Sequence, residues 1–300
     1  MHLKSILRFT ALIFLYMVLF VLGSMAVAGH FPNTPSEPGI LSEGSGLFIL
    51  SIANTALVVW LITQSRLRGW RLALLLGISY YGSYTLLTQI ETWYFLSSIN
   101  ISPDLLVRLF IMGIPVPFIF IPLAIRVYGR WQTNDLKQAL MTVSMSPNKW
   151  ILTFGGLSLL YVVCYWCAGY FIAWQNPALR TFYGNTDQLL TFRDHTVNAL
   201  VNTPDLFLLQ LFRGLLFALI ILSVMCSSGS GVWLTALMAA SLLALPHFVH
   251  LLSNPLMPLA SVRLSHLIET ASSNFLYGIV AVGIIHRMNV HSSNGSTRSA

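Results

Sequence analysis

The chain has 300 residues, 56% of them hydrophobic and 8% charged, with a formal net charge of +7. A soluble domain carries about 25% charged residues, so this composition excludes a water-soluble globular protein and calls for lipid as part of the solvent. A spanning helix needs roughly 20 apolar residues, so eight of them fill most of this length and leave no room for a soluble domain.

Apolar runs occur at about 9–28, 46–63, 72–95, 105–125, 151–174, 205–226, 232–251 and 264–286. They predict an all-α, polytopic transmembrane bundle of about eight helices, a single domain over 1–287 with an unstructured cytoplasmic tail at 288–300. Lys4 and Arg8 precede the first run, and the loop after it holds Glu37 and Glu43 without a base. Arg66, Arg68 and Arg71 follow the second run; Arg126, Arg130, Lys137 and Lys149 follow the fourth; Arg287 and Arg298 follow the last. Basic residues resist translocation, so this alternation places both termini and these loops in the cytoplasm of a multi-pass cell-membrane protein. The positive charge is thereby accounted for by topology and anionic headgroups, and nucleic acid is not needed as a partner. Trp60, Trp70, Trp131, Trp150 and Trp233 fall at inner helix ends, and Trp93 and Trp174 at outer ends, as interfacial rings should.

Several local features refine this frame. Lys4, Arg8 and Ala26-Val27-Ala28 also fit a cleavable secretory signal, but the run Phe9 to Ala28 is long enough to span, which favours a retained helix. Pro115, Pro117 and Pro122 break up the fourth span, and Pro246 disrupts the seventh. Thr133-Asn134-Asp135 caps an expected surface helix with an apolar stripe at Leu136, Ala139, Leu140 and Val143, ended by Pro147. The outer loop 175–204 has room for a short helix or lid near 187–201, where Asp194-His195 reads as solvated. Ser227 to Gly231 suffice for a tight turn between two antiparallel helices. Asn54 reads as an interhelical hydrogen-bonder, and Gly155-Gly156 as a point of close helix approach. Cys164, Cys167 and Cys226 lie in apolar surroundings and read as small hydrophobes rather than a redox or metal pair.

The candidate site comes from residues that lipid does not tolerate. A charged group inside the bilayer costs roughly 3 kcal/mol or more and therefore needs a partner or a purpose. Glu91 in the third span, Arg213 in the sixth, His247 and His250 in the seventh, and His266 and Glu269 in the eighth all fall in the outer half of the membrane. His247 and His250 are spaced i,i+3, as are His266 and Glu269 and also Gln210 and Arg213, so each pair shares a helix face.

Three readings stay open. In one, the cluster ties helices together in a structural or assembly protein. In the second, it is the catalytic site of a membrane-embedded, hydrolase-like enzyme acting on a lipid, peptide or small molecule at the outer leaflet. There His247, His250 and His266 would hold a divalent metal such as zinc, with a glutamate as general base and Arg213 on an anion. In the third, glutamate and histidine relay protons in a transporter. No H-E-x-x-H or G-x-S-x-G motif occurs, and the single His250-x-x-x-Asn254 spacing assigns no family.

Overall fold

The computed structural model describes residues 2–96, 101–132 and 143–296. Helices dominate these residues; no strand forms among them, only an isolated antiparallel bridge between Ser65 and Ser228. In chain order the helices are α1 (His2–Ser24), α2 (Glu43–Gln64), α3 (Gly69–Tyr81), α4 (Leu87–Tyr94), α5 (Pro103–Met112), α6 (Ile121–Val127), α7 (Pro147–Phe171), α8 (Pro177–Gly184), α9 (Phe192–Asn202), α10 (Pro204–Ser227), α11 (Val232–Ala244) and α12 (Ala260–Ser296). Wider π turns join α3 to α4 at Gly82–Leu86 and lead into α6 at Val116–Phe120, and tighter 3-10 turns occupy Ala173–Gln175 and Leu245–Leu251.

Among the described residues, seven helical stretches are long and apolar enough to cross a membrane: Leu3–Ser24, Glu43–Gln64, Pro103–Val127, Pro147–Gln175, Pro204–Ser227, Val232–Leu251 and Ala260–Asn289. Their outward faces agree with lipid as solvent. Ile151 and Leu152 on α7 are 71% and 70% exposed, and Phe14, Val18, Val21 and Leu208 are also exposed. Exposed apolar side chains in such number would not stay soluble in water. The chain is an integral, multi-pass membrane protein.

Seven of the eight expected spans meet this criterion, and the third does not. The third predicted span does form a helical path, α3 through the π turn into α4. Ser79, Tyr80, Ser83, Tyr84, Thr85, Thr88 and Gln89 make it too polar to meet the apolar criterion.

The proline expectations hold. α5 stops at Met112 ahead of Pro115, and the π turn carries Pro117. A proline supplies no backbone donor, so the regular i to i−4 ladder is lost there. In the seventh run, α-helix ends at Ala244 and a 3-10 turn carries Pro246, His247 and His250. The turn between α10 and α11 is as short as expected, from Ser227 to Val232. The outer-loop helix forms as α9, opened by Thr191, whose hydroxyl oxygen accepts from Asp194 N at 3.2 Å. Pro147 opens α7, and the surface helix expected over 133–146 falls largely outside the described residues. Beyond Met288, where an unstructured tail was expected, α12 continues to Ser296.

The chain divides into two compact units. Unit 1 comprises Met1–Met141, Cys226–Ser230 and Phe248–Ala260; unit 2 comprises Thr142–Met225, Gly231–His247 and Ser261–Ala300. In unit 1, Asn54 is the interhelical hydrogen-bonder that its place in an apolar run implies. Its Oδ1 accepts from Tyr80 OH at 3.0 Å, Tyr80 OH lies 3.0 Å from Tyr16 OH, and all three side chains are buried. The segment after α1 is clasped by the one before α12: Glu37 N donates to Pro258 O at 2.9 Å, Ala260 N donates to Glu37 Oε2 at 2.7 Å, and Leu41 N donates to Leu251 O at 3.1 Å.

Unit 2 packs α7, α10, α11 and α12 around Tyr161, Phe217 and Tyr277. The ring of Tyr161 lies 4.8 Å from Phe217 and 5.4 Å from Tyr277. Gly155 and Gly156 do not serve close approach: a Cβ on either would meet nothing within 4 Å, and both are exposed. The close approaches are at Gly214, against Ser158 and Tyr161, and at Gly278, against Ala240. Cys164, Cys167 and Cys226 are half-buried free thiols.

Candidate functional site

The site is built on α12. His266, Glu269, Ser273 and Tyr277 recur at helical spacing and share one face of it. His266 Nδ1 lies 3.0 Å from Glu269 Oε2, and His266 Nε2 lies 3.0 Å from Tyr183 OH on α8. An ionised carboxylate can only accept. Nδ1 therefore carries the proton, and Nε2 is left to accept the Tyr183 hydroxyl. The Glu269 side chain is 6% exposed and that of His266 is 19% exposed, so the imidazole keeps some access and the carboxylate very little. A Cβ on Gly169 of α7 would meet Glu269 Oε1 at 3.6 Å, an ordinary contact distance, so α7 runs beside the carboxylate.

Local sequence puts Tyr183 in reach. Asn176 caps α8, its Oδ1 accepting from Ala178 N at 3.0 Å. The same amide donates through Nδ2 to Ser261 O at 3.0 Å and Ser265 Oγ at 2.9 Å, which ties the start of α8 to the first turns of α12. Arg180 is buried, with its guanidinium donating to Trp174 O at 2.6 Å and to Asp187 O at 2.9 and 2.6 Å. That fork closes the loop around α8. Asn185 ends the helix in the left-handed region at φ 50°, where asparagine is favoured among non-glycine residues.

Arg213 and His247 form a deeper layer of the same unit. Arg213 Nη1 donates to Gln210 Oε1 at 2.8 Å, and its guanidinium lies 5.8 Å from the Tyr161 ring centre and 6.0 Å from that of Phe217. The Asn274 amide Nδ2 donates to His247 Nε2 at 2.7 Å. Arg213 and His266 both lie in the surroundings of the His247 ring. Unit 2 thus brings together Arg213, His247, His266 and Glu269. Glu91, half-buried on α4, and His250, on the 3-10 turn, belong to unit 1.

The three-histidine metal set does not assemble. Among the described residues, no group of three or more His, Cys, Asp or Glu side chains could hold a metal ion. His247 Nε2 takes the Asn274 amide, and both ring nitrogens of His266 take Glu269 and Tyr183. Arg263 lies in α12 and is fully buried.

His195 is half-buried rather than fully solvated. Its ring stacks on Trp166 at 5.0 Å and lies 5.2 Å from Trp174 and 5.5 Å from Tyr170. Burial there holds its pKa below the ordinary histidine value. Trp166 Nε1 also donates to Thr196 Oγ1 at 2.8 Å, fixing α9 on α7.

Sequence reasoning missed Tyr183 and its tether Asn176. One is an aromatic in a loop and the other an asparagine before a proline; the N-cap signal in Asn176-Pro177 could have placed α8, but nothing in the sequence aims Tyr183 at His266. No protein-family model, curated protein or solved structure matches the chain, so the functional reading rests on this geometry.

Proposed function

We propose that this membrane protein is a membrane-embedded enzyme whose acid–base residue is His266, acting on a lipid or peptide substrate reached from the outer half of the bilayer. The observation that carries the reading is the hydrogen-bonded series Glu269–His266–Tyr183. A carboxylate on one ring nitrogen fixes the tautomer and steadies the imidazolium, leaving the other nitrogen to take a proton. Such an arrangement has a cost in lipid, and interhelical glue alone would not require a partly accessible imidazole at its end.

Within this reading the six residues divide by role. His266 is the general base, and Glu269 is its positioning residue. Arg213 and His247, held by Gln210 and Asn274, keep the helices in register and set the local field. Glu91 and His250 are assigned to the site by their expected depth in the membrane alone. The α3–α4 path, about 39 Å long at 1.5 Å per residue, is the eighth crossing, which returns both termini to the cytoplasmic side of the cell membrane.

A structural role is favoured by one observation: Arg213 and His247 each have a neutral hydrogen-bonding partner inside the unit. One experiment separates the two readings. Purified protein in lipid nanodiscs is screened against fluorogenic acyl-ester, phospholipid and peptide substrates, alongside His266→Ala. The enzyme reading expects a turnover that falls about 10²–10⁴-fold in the variant, the usual contribution of a general base. Turnover unchanged by His266→Ala would sink it.

A further inference from the structure

We infer that Tyr183 is the nucleophile of this centre and carries the transferred group as a tyrosyl ester, with uncharged acyl esters as the substrate class. The inference rests on the reading of His266 as base. It goes beyond that reading by naming the atom that attacks and the bond that is made.

The phenol oxygen lies 3.0 Å from His266 Nε2, within proton-transfer reach. The phenol is also edge-on to the imidazole, with ring centres 5.4 Å apart and an interplanar angle of 88°. Its carrier helix is not loose. Asn176 anchors one end of α8 to α12, and the Arg180 fork fastens its middle to Trp174 and Asp187. Nucleophile, base and orienting carboxylate are thus in series, as nucleophilic catalysis requires. Tyr183 is half-buried and lies between the spanning stretches Pro147–Gln175 and Pro204–Ser227. That position suits a scissile bond near a lipid headgroup better than one deep in the acyl chains.

The electrostatics favour an uncharged electrophile. Arg180, the cation on α8, has its guanidinium turned onto backbone carbonyls, and the carboxylate of Glu269 lies just behind the imidazole. A phosphate would meet that carboxylate without gaining Arg180; a carbonyl carbon has no such penalty.

The steps balance without a cofactor. Tyr183 O bonds to the acyl carbon as its proton passes to His266 Nε2, and Glu269 steadies the imidazolium. The tetrahedral intermediate expels the alcohol, which takes the proton from Nε2. Water then attacks the tyrosyl ester, giving its proton to Nε2 and releasing the acid. Tyr183 recovers its proton. A phenol is a better leaving group than an aliphatic alcohol, because its pKa is near 10, so the second step is easier than the first.

The test uses the full chain in nanodiscs and phenylmethanesulfonyl fluoride, which converts a nucleophilic phenol to a sulfonate ester with loss of fluoride. Peptide mass mapping follows the labelling of each of the 11 tyrosines. Tyr183 is expected to be labelled first, and His266→Ala or Glu269→Gln is expected to slow that labelling about tenfold or more. Tyr183→Phe, which removes only the hydroxyl, should lose the adduct while its thermal melt shows a folded protein. Labelling spread over the tyrosines without preference, or preferential at Tyr183 yet unaffected by His266→Ala, overturns the inference. A p-nitrophenyl acyl ester separates the two levels. If Tyr183→Phe turns it over at the full rate while His266→Ala does not, the nucleophile assignment falls and the base assignment stands.

Discussion

Replacing Gly278 by alanine tests how tightly α11 and α12 are packed in unit 2. A Cβ at this position would lie 2.6 Å from Ala240 Cα, 3.0 Å from its N and 3.1 Å from its Cβ. Carbon atoms rest at about 3.5–4.0 Å, and every clashing atom is backbone or Cβ, with no flexible end to swing away. The helices must separate or bend, and overpacking of this kind costs about 1–3 kcal/mol. Alanine also gains about 0.5–1 kcal/mol over glycine in a helix interior, which blurs a single measurement. Gly283→Ala removes that ambiguity. It lies on the same helix, and its Cβ would meet nothing within 4 Å. The propensity gain cancels between the two variants, so Gly278→Ala is expected to be less stable than Gly283→Ala by about 1–3 kcal/mol. The assay is reversible unfolding of detergent-solubilised protein by a denaturing surfactant, followed by far-UV circular dichroism. Equal stabilities, or a more stable Gly278→Ala, would refute the close approach.

Three further outcomes follow from the structure. Tyr80→Phe in unit 1 removes the hydroxyl between Tyr16 and Asn54; leaving those buried groups short of a partner is expected to cost about 1–3 kcal/mol by the same unfolding assay, and a neutral change would mean the network contributes nothing. The docking of α9 is expected to weaken in mild acid. His195 has a lowered pKa in the fold, so as pH falls below the unfolded value of about 6.5 the unfolded or undocked chain binds a proton that the docked ring does not, and stability declines until the lowered folded value is reached. Trp166 fluorescence reads this, and His195→Phe should abolish the dependence; the same pH profile in both proteins would disprove it. Topology reporters fused to the two termini decide whether the α3–α4 path crosses the bilayer: eight crossings place both on the cytoplasmic side, and seven place them on opposite sides.

The class of the protein and the positions of most helices are legible in the sequence for simple reasons. Length and hydropathy are properties of a segment by itself, so 46–63 or 205–226 can be read without knowing a neighbour. Pro115 and Pro246 remove backbone donors wherever the chain goes, and α-helix duly stops ahead of both. The pairing of His266 with Glu269 is likewise local, because three residues along one helix are adjacent. The third span is legible as a helical path, but the hydroxyls that interrupt its apolar residues keep it below the apolarity of the other seven.

Properties that depend on a facing element were not legible. Gly155 and Gly156 look like a packing site, yet the close contacts fall to Gly214 and Gly278, because only the opposite helix decides which glycine it meets. His195 looks solvated beside Asp194, yet it lies among three aromatic rings from α7 and the turn after it. The metal reading of His247, His250 and His266 rested on spacing, and spacing does not determine where a ring nitrogen points. The sequence by itself determined a lipid-solvated helical protein and the helix that carries its polar stripe. The tertiary structure alone decided that this stripe ends on Tyr183, 83 residues earlier in the chain, because a hydrogen bond across that separation depends on how α8 is anchored to α12 by Asn176.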